Sequence, residues 1–327
     1  MPLRITLSAP GWRTRFALIE PRTAKKQPRI LCAGGAVQDF VMRVDKFPDA
    51  GTKVQASDFL VTSGGQAGNA AVAIARLGGA VSYAGPLGAS DDEFAGRVVE
   101  SLKRESIDCS GVVRVPGAIS SVSLILLDAV GEKMIATRRD RGLSEIAPEH
   151  AERLVASVDA VLLDNRYPQF VTPICKAAQA REIPRVLDLD RAAPENDPLL
   201  LACSHVIASA EALRGSAGLD DMPSALKKFG KNFGGFLAYT DGPEGIYWLD
   251  GGEVRHMAAF KVNAIDTLGA GDAFHGAFTF RLVENGDLLD AMRFASAAAA
   301  IKCTRFGGLM GAATRAEVDA FLEKNPG

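Results

Sequence analysis

The stretch DTLGAGDAFHGAFTF, residues 266–280, sets three small residues, Gly269, Ala270 and Gly271, directly before a carboxylate, Asp272, and then begins an apolar helical pattern. The first turn of a helix carries unpaired backbone N–H groups and the positive end of the helix dipole, and glycines let an anion approach them closely. An isolated Asp at such a start is ordinarily a residue that favours the dipole. An anion site repels a carboxylate, however, so the two belong together when the acid removes a proton from a hydroxyl attacking a bound phosphoryl group. A second glycine-opened helix start, GGQAGN at residues 64–69, offers the amides of Gly64 and Gly65 and the side chain of Asn69 to a polyhydroxyl ligand. Alone it is weak, because glycine pairs before helices are often only turns. The chain has no G-x-x-x-x-G-K-[ST], and no G-x-G-x-x-G after its first strand, so a phosphate must be held differently from either standard nucleotide motif.

These residues need elements to position them. RILCAGGAV (29–37) is a short apolar run ending in glycine, as expected of a buried parallel strand that opens into a loop. DFVMRVDKFP and KVQASDFLVTS alternate with a period of two and are broken by Pro48 and Gly51, which predicts hairpin strands. QAGNAAVAIARLGG spaces Ala70, Ile74 and Leu77 as a helix and exits through Gly78 and Gly79. Strand-then-helix units follow: VSYAGPLG with DDEFAGRVVESLKRE, AVLLD with TPICKAAQARE, RVLDLD, and HVIAS with a helix near Glu211. Such alternation predicts an α/β fold with a doubly wound, mostly parallel sheet and helices on both faces. SVSLILLD and KMIATRR around the turn AVGE make a further hairpin, and FKVNAID (260–266) reads as a strand entering the small-residue turn. The expected organisation is an α/β domain from residues 29–37, 64–110 and 141–327, and a discontinuous β lid from 38–63 and 111–140. A basic extension covers residues 1–28.

GGQAGN, DTLGAGD and an Asp just after the first strand, Asp39, resemble the signatures of the PfkB/ribokinase family of sugar kinases, and the resemblance spans residues 29 to 323. It implies a ribokinase-like fold, ATP as phosphoryl donor and Mg2+. By matching position it implies that Asp272 is the catalytic base, that the amides of Gly269, Ala270 and Gly271 form an anion hole, and that Asp39, Gly64, Gly65 and Asn69 bind sugar. TDGPEG (240–245) resembles the family's nucleotide loop, which implicates Thr240, Gly242 and Gly245. The family's N-x-x-E appears as ASAE: Glu211 is kept, to act on magnesium through water, and Ala208 replaces the Asn. Mg2+ on ATP phosphates needs few protein ligands because it keeps its waters. In members that use a monovalent cation such as K+, the position of Asp266 helps hold it. His275 is assigned to packing or to a purine contact on the nucleotide side, not to catalysis.

AFKVNAIDTLGAGDAFHGA with RFASAAAAIKCTRFGG looks most like the ketose kinases and, among them, sulfofructose kinase, which acts on a fructose analogue bearing a C6 sulfonate. Cations are then needed around an anionic tail, and Lys53, Arg166 and one of Arg138 and Arg139 are the candidates. Lys53 and Arg166 stand where that branch keeps basic residues, whereas Thr137 stands where it carries a polar amide. A phosphosugar, a sugar acid and a neutral ketohexose stay open. So do two rivals: a nucleoside kinase, for which Phe40, Phe47 and Phe59 offer lid aromatics, and a non-catalytic sugar sensor, for which Ala208 is the support.

Composition limits the remaining classes. With 47% apolar and 23% charged residues and a net charge of −2, the chain suits a folded core and offers no basic surplus for nucleic acid. No apolar run reaches the ~18 to 20 residues of a membrane helix. Five scattered cysteines without a C-x-x-C pair suit a reducing compartment, so a cytoplasmic protein is expected. The segment before Arg29 is rich in Arg and Lys but has no apolar signal core. Strands exposed on the lid make a homodimer through it plausible chemistry.

Overall fold

The structure is a computed structural model that describes residues 27–326. The basic extension read over residues 1–28 therefore lies, but for its last two residues, outside the described residues. The chain begins with β1 (Arg29–Ala33), β2 (Val37–Arg43), β3 (Asp58–Gly64), α1 (Gln66–Arg76), β4 (Ala80–Leu87), α2 (Glu93–Arg104) and β5 (Asp108–Arg114). β6 (Val122–Leu127), β7 (Lys133–Arg138), α3 (Ala151–Val155), β8 (Ala160–Asp164), α4 (Pro168–Ala180), β9 (Arg185–Leu189) and α5 (Pro198–Ala202) follow. Next come β10 (His205–Ser209), α6 (Ala210–Ala217), α7 (Met222–Gly230), β11 (Phe236–Thr240), β12 (Ile246–Asp250) and β13 (Glu253–Met257). The chain closes with α8 (Ala270–Asn285), α9 (Leu288–Cys303) and α10 (Arg315–Lys324).

Nine strands form one sheet in the order β13-β12-β11-β10-β9-β8-β1-β4-β5. It is parallel from β5 to β11, with β12 and β13 as an antiparallel edge. β1 is apolar throughout because it is covered on both sides: Ile30 and Cys32 enter one core, Leu31 and Ala33 the other. The first core is roofed by α1, α2, α8, α9 and α10, and the second by α3 to α7. Phe278 on α8 and Phe294 on α9 are fully buried, each removing apolar surface worth roughly 2 to 3 kcal/mol.

A separate four-stranded sheet, β3-β2-β6-β7, forms the lid. Residues 111–114, read above as lid, are part of β5 and pair with β4 in the large sheet, because Gly111, Val112 and Val113 continue the parallel ladder. The lid's second hairpin is β6 and β7 alone. Residues 260–266 form no strand either. Their end is tied elsewhere: the N–H groups of Ile265 and Asp266 both donate to the Cys303 carbonyl at the end of α9, at 2.8 and 3.2 Å.

The register of the lid strands aligns Thr62, Asp39, Ser123 and Thr137 across β3, β2, β6 and β7, so one polar row crosses a sheet face. Two residues further along the same face, Val41 and Ile125 pack with Leu268 of the turn that precedes α8. That cluster seats the lid over the carboxyl ends of the parallel strands, where open α/β sheets bind their ligands.

Candidate active site

The site is built where the sheet order reverses, beside β1 and β8. Asp164 closes β8 and is buried. One of its oxygens accepts from the N–H groups of Gly35 (2.7 Å) and Ala67 (3.1 Å), the other from that of Arg166 (2.9 Å). A single carboxylate thus fixes the loop after β1, the start of α1 and the loop after β8. Burial pushes its pKa up while these three amides pull it back.

That scaffold sets the first turn of α1, and Asn69 projects from it to Asp272 of α8. The Asn69 side-chain amide donates to the Asp272 carboxylate at 2.6 Å, joining the two motifs across the length of the chain. α8 starts at Gly269, whose φ of +76° lies in the left-handed region, and a Cβ there would overlap the Leu309 side chain. The Ala270 N–H donates to Thr267 O at 3.2 Å, so it closes the turn and is already engaged. Gly269 and Gly271 are the better candidates for contact with an anion, and around Gly271 there is open space.

Asp39 approaches the same point from the lid. Only Gly64 fits beside it, since a Cβ at that position would overlap its carboxylate. Burial raises the Asp39 pKa to about 7, opposed by a hydrogen bond from Ser123 and reinforced by the charge of Asp272. Asp272 is raised to about 6, first by burial, with the Asn69 hydrogen bond opposing, Asp190 raising it further and Lys133 of the lid lowering it. Two carboxylates with pKa values near neutrality in one cleft mark a site able to move protons. Ser123 in turn lies 3.1 Å from the Thr137 hydroxyl, so Thr137 reaches Asp39 through Ser123. Gly65 is the residue before α1, at its N-terminal end.

Among the candidate cations the structure distinguishes sharply. Arg166 is ion-paired with Asp190, which also accepts from Gln66 at 2.9 Å. Its Nε is buried without a hydrogen-bond partner. Arg139 lies in the same field: its pKa is lowered by burial first, then by the positive charges of Arg166 and Arg191. Arg138 instead pairs with Asp140 at 3.1 Å. Lys53 stands exposed on the loop between β2 and β3. Phe40 stacks on Phe59, with ring centroids 6.4 Å apart, and meets Phe94 of α2 edge-on. Strand alternation puts Phe40 on the face of β2 opposite Asp39, so these lid rings are turned from the cleft.

The nucleotide candidates lie further along the sheet edge. Ser209 and Thr240 are register partners at the ends of β10 and β11. The α6 start with Glu211 and the loop with Gly242 and Gly245 are therefore neighbours. Glu211 is exposed in the first turn of α6, which suits contact through water with a phosphate-bound magnesium; Ala208 is buried in the core. Among the described residues no cluster of three acid, His or Cys groups could hold a metal by itself. His275 is 3% exposed and its ring nitrogens lie 2.8 Å from Gly271 O and 3.2 Å from Ile207 O. It packs beneath the helix start, and a purine contact is excluded by its burial. At Asp266 the ammonium of Lys302 lies 3.1 Å from the carboxylate.

Residues 27–314 match the profile of the family described as pfkB family carbohydrate kinase. The chain belongs to the PfkB family of carbohydrate kinases. It is a phosphotransferase with an alcohol group as acceptor, on a ribokinase-like fold. Ribokinase of Bacillus subtilis is 29% identical over 299 residues, 90% of this chain and 99% of its own. A crystal structure of an Agrobacterium tumefaciens protein, provisionally assigned as a ribokinase, is 36% identical with a TM-score of 0.87, covering 91% of this chain and 98% of its own. Arabidopsis thaliana ribokinase, complexed with ribose and ATP, shares the fold at 22% identity and a TM-score of 0.77, over 91% of this chain and 99% of its own.

In this PfkB kinase, sequence reasoning did not reach Asp164, Asp190, Ser123, Arg191 or Lys302. Asp164 carried a readable signal, an acid at the carboxyl end of a parallel strand. Ser123 and Lys302 carried none, since register and helix packing alone bring them to their partners.

Proposed function

We propose that the protein is an ATP-dependent kinase for a ketose-like sugar with an anionic substituent, 6-deoxy-6-sulfofructose being one candidate beside a phosphosugar and a sugar acid. The observation that carries the kinase mechanism is the Asn69–Asp272 hydrogen bond at the start of α8, with Asp39 facing the same cleft. In this reading Asp39, Asn69 and the backbone of Gly64 and Gly65 hold the sugar hydroxyls. Asp272 takes the proton from the attacking hydroxyl, and the amides of Gly269 and Gly271 stabilise charge on the γ-phosphoryl, with Ala270 closing the turn between them. Thr240, Gly242 and Gly245 hold ATP. Glu211 would act through water on a magnesium ion accompanying the ATP phosphates, which when bound would supply neutralisation of their charge.

The gathering of Arg139, Arg166 and Arg191 supports an anionic tail, with Lys53 as a further point charge on the lid loop. A neutral pentose is the second reading, favoured by the ribokinase relative. The aromatic rings turned from the cleft weigh against a nucleoside. Free thiols at all five cysteines fit a cytoplasmic setting, and no helix of the described residues is long and apolar enough to cross a membrane. A coupled assay with ATP and a panel of ribose, fructose, fructose 6-phosphate, sulfofructose and adenosine tests the reading. The highest kcat/KM falls on an anionic ketose; preference for ribose or adenosine refutes the substrate, and binding without turnover on every sugar refutes the kinase in favour of a sensor.

A further inference from the structure

The family resemblance implies a monovalent cation at Asp266, and the residues around that position in this chain form a different arrangement. Lys302, in the last turn of α9, and Asp266 both have side chains wholly removed from solvent. The Lys302 ammonium donates to the Asp266 carbonyl at 2.7 Å and lies 3.1 Å from its Oδ2. Oδ1 accepts from the Leu268 N–H at 2.7 Å, and Oδ2 from those of Gly307 and Gly308 at 2.8 and 3.0 Å. A buried carboxylate among that many donors is balanced by a cation placed beside it. Lys302 supplies that charge covalently. A metal ion would have to share the same oxygens while facing one ammonium at contact and a second cation, Lys133 of the lid, whose charge also acts on Lys302. The residues present therefore do not suit a monovalent metal.

We propose that Lys302 is a built-in cation that takes the place of a monovalent metal ion at Asp266, so that this kinase works without potassium activation. Its task is positioning. Asp266 ties residues 266–268 to Gly307 and Gly308, and that same segment runs straight into the turn at Gly269–Gly271. Lys302 therefore holds the phosphoryl-facing turn through Asp266 without touching substrate. The proposal rests on that turn being the phosphoryl site only for its kinetic consequence, since the charge replacement is a matter of structure.

The test begins with the unaltered protein. With choline replacing potassium at constant ionic strength, wild-type kcat/KM stays within about twofold and the melting temperature shifts by less than about 1 °C. A saturable, several-fold rise in kcat with potassium, or a potassium-specific rise in melting temperature, overturns the proposal. The melting measurement needs no turnover, so it stands even where the sugar-kinase reading fails. In Lys302→Ala, kcat in choline falls by at least about tenfold while the sugar KM holds within about threefold, and potassium or ammonium ions restore part of kcat saturably. A variant with full wild-type kcat in choline also overturns the proposal. Should Lys302→Ala fail to fold, as loss of one partner of a buried pair can cause, the wild-type cation comparison decides alone.

Discussion

Replacing Asp39 with Asn should stabilise the protein above neutral pH while weakening its hold on sugar. Asp39 is only 6% exposed, and burial, against a Ser123 hydrogen bond and with the charge of Asp272, lifts its pKa from 3.8 to about 7. The distance between those values corresponds to roughly 4 kcal/mol. Because the folded pKa lies above the unfolded one, the neutral acid costs nothing extra below about pH 4. The penalty grows as pH rises from about 4 to about 7 and is constant above that. Asn cannot ionise, so Asp39→Asn escapes it. Urea unfolding of both proteins at about pH 5 and about pH 8 should show the variant's advantage growing with pH toward at most about 4 kcal/mol. The sugar KM rises about 10- to 100-fold, since a hydrogen bond to a charged group is worth about 1.5 to 3 kcal/mol. A stability difference that is the same at both pH values, or a variant less stable at the higher one, would refute the reasoning.

Other outcomes follow from the same geometry. Asp272 must be ionised to accept a proton, so log kcat/KM should fall with unit slope as pH drops through about 6; a steady-state profile flat to about pH 5 contradicts this. Gly269→Ala places a side chain at a φ of +76° against Leu309, and should cost about 1 to 2 kcal/mol of stability by thermal melting together with most of kcat. The outer lid face exposes Phe59, Leu124 and Met134 by 50% or more, as a surface covered by a second copy would. Light scattering should then find a dimer for the wild type and a monomer for Leu124→Glu.

What could be read from the sequence was whatever chemistry forces into a local pattern. Gly269–Asp272 stands out because an anion hole and a base need small residues and an acid within one helical turn. β1, β8, β9 and β10 stand out because a strand covered on both faces is a short apolar run. Residues 260–266 misled for a related reason: they have a strand's composition, but their end is anchored by the α9 carbonyl of Cys303. The lid boundary at residue 111 was misplaced because β5 is a partly exposed edge strand whose pattern resembles a hairpin arm. Lys302 follows an alanine run that carries no sign of its role; only the packing of α9 against the 265–268 segment reveals it as the partner of Asp266. The sequence leaves His275 between packing and a purine contact; the approach of β10 to α8, which buries it against Ile207, is what favours packing.

The central claim is that Asp272 is the base that activates the acceptor hydroxyl. Asp272→Asn keeps the shape of the side chain and its closeness to Asn69 but cannot take a proton. Coupled kinetics with the best sugar of the panel, alongside calorimetric titration with magnesium and ATP, should show kcat reduced at least about 10²- to 10⁴-fold with ATP affinity changed less than about threefold. A variant that retains near-normal kcat would show that the proton is taken elsewhere and that this site does not work as described.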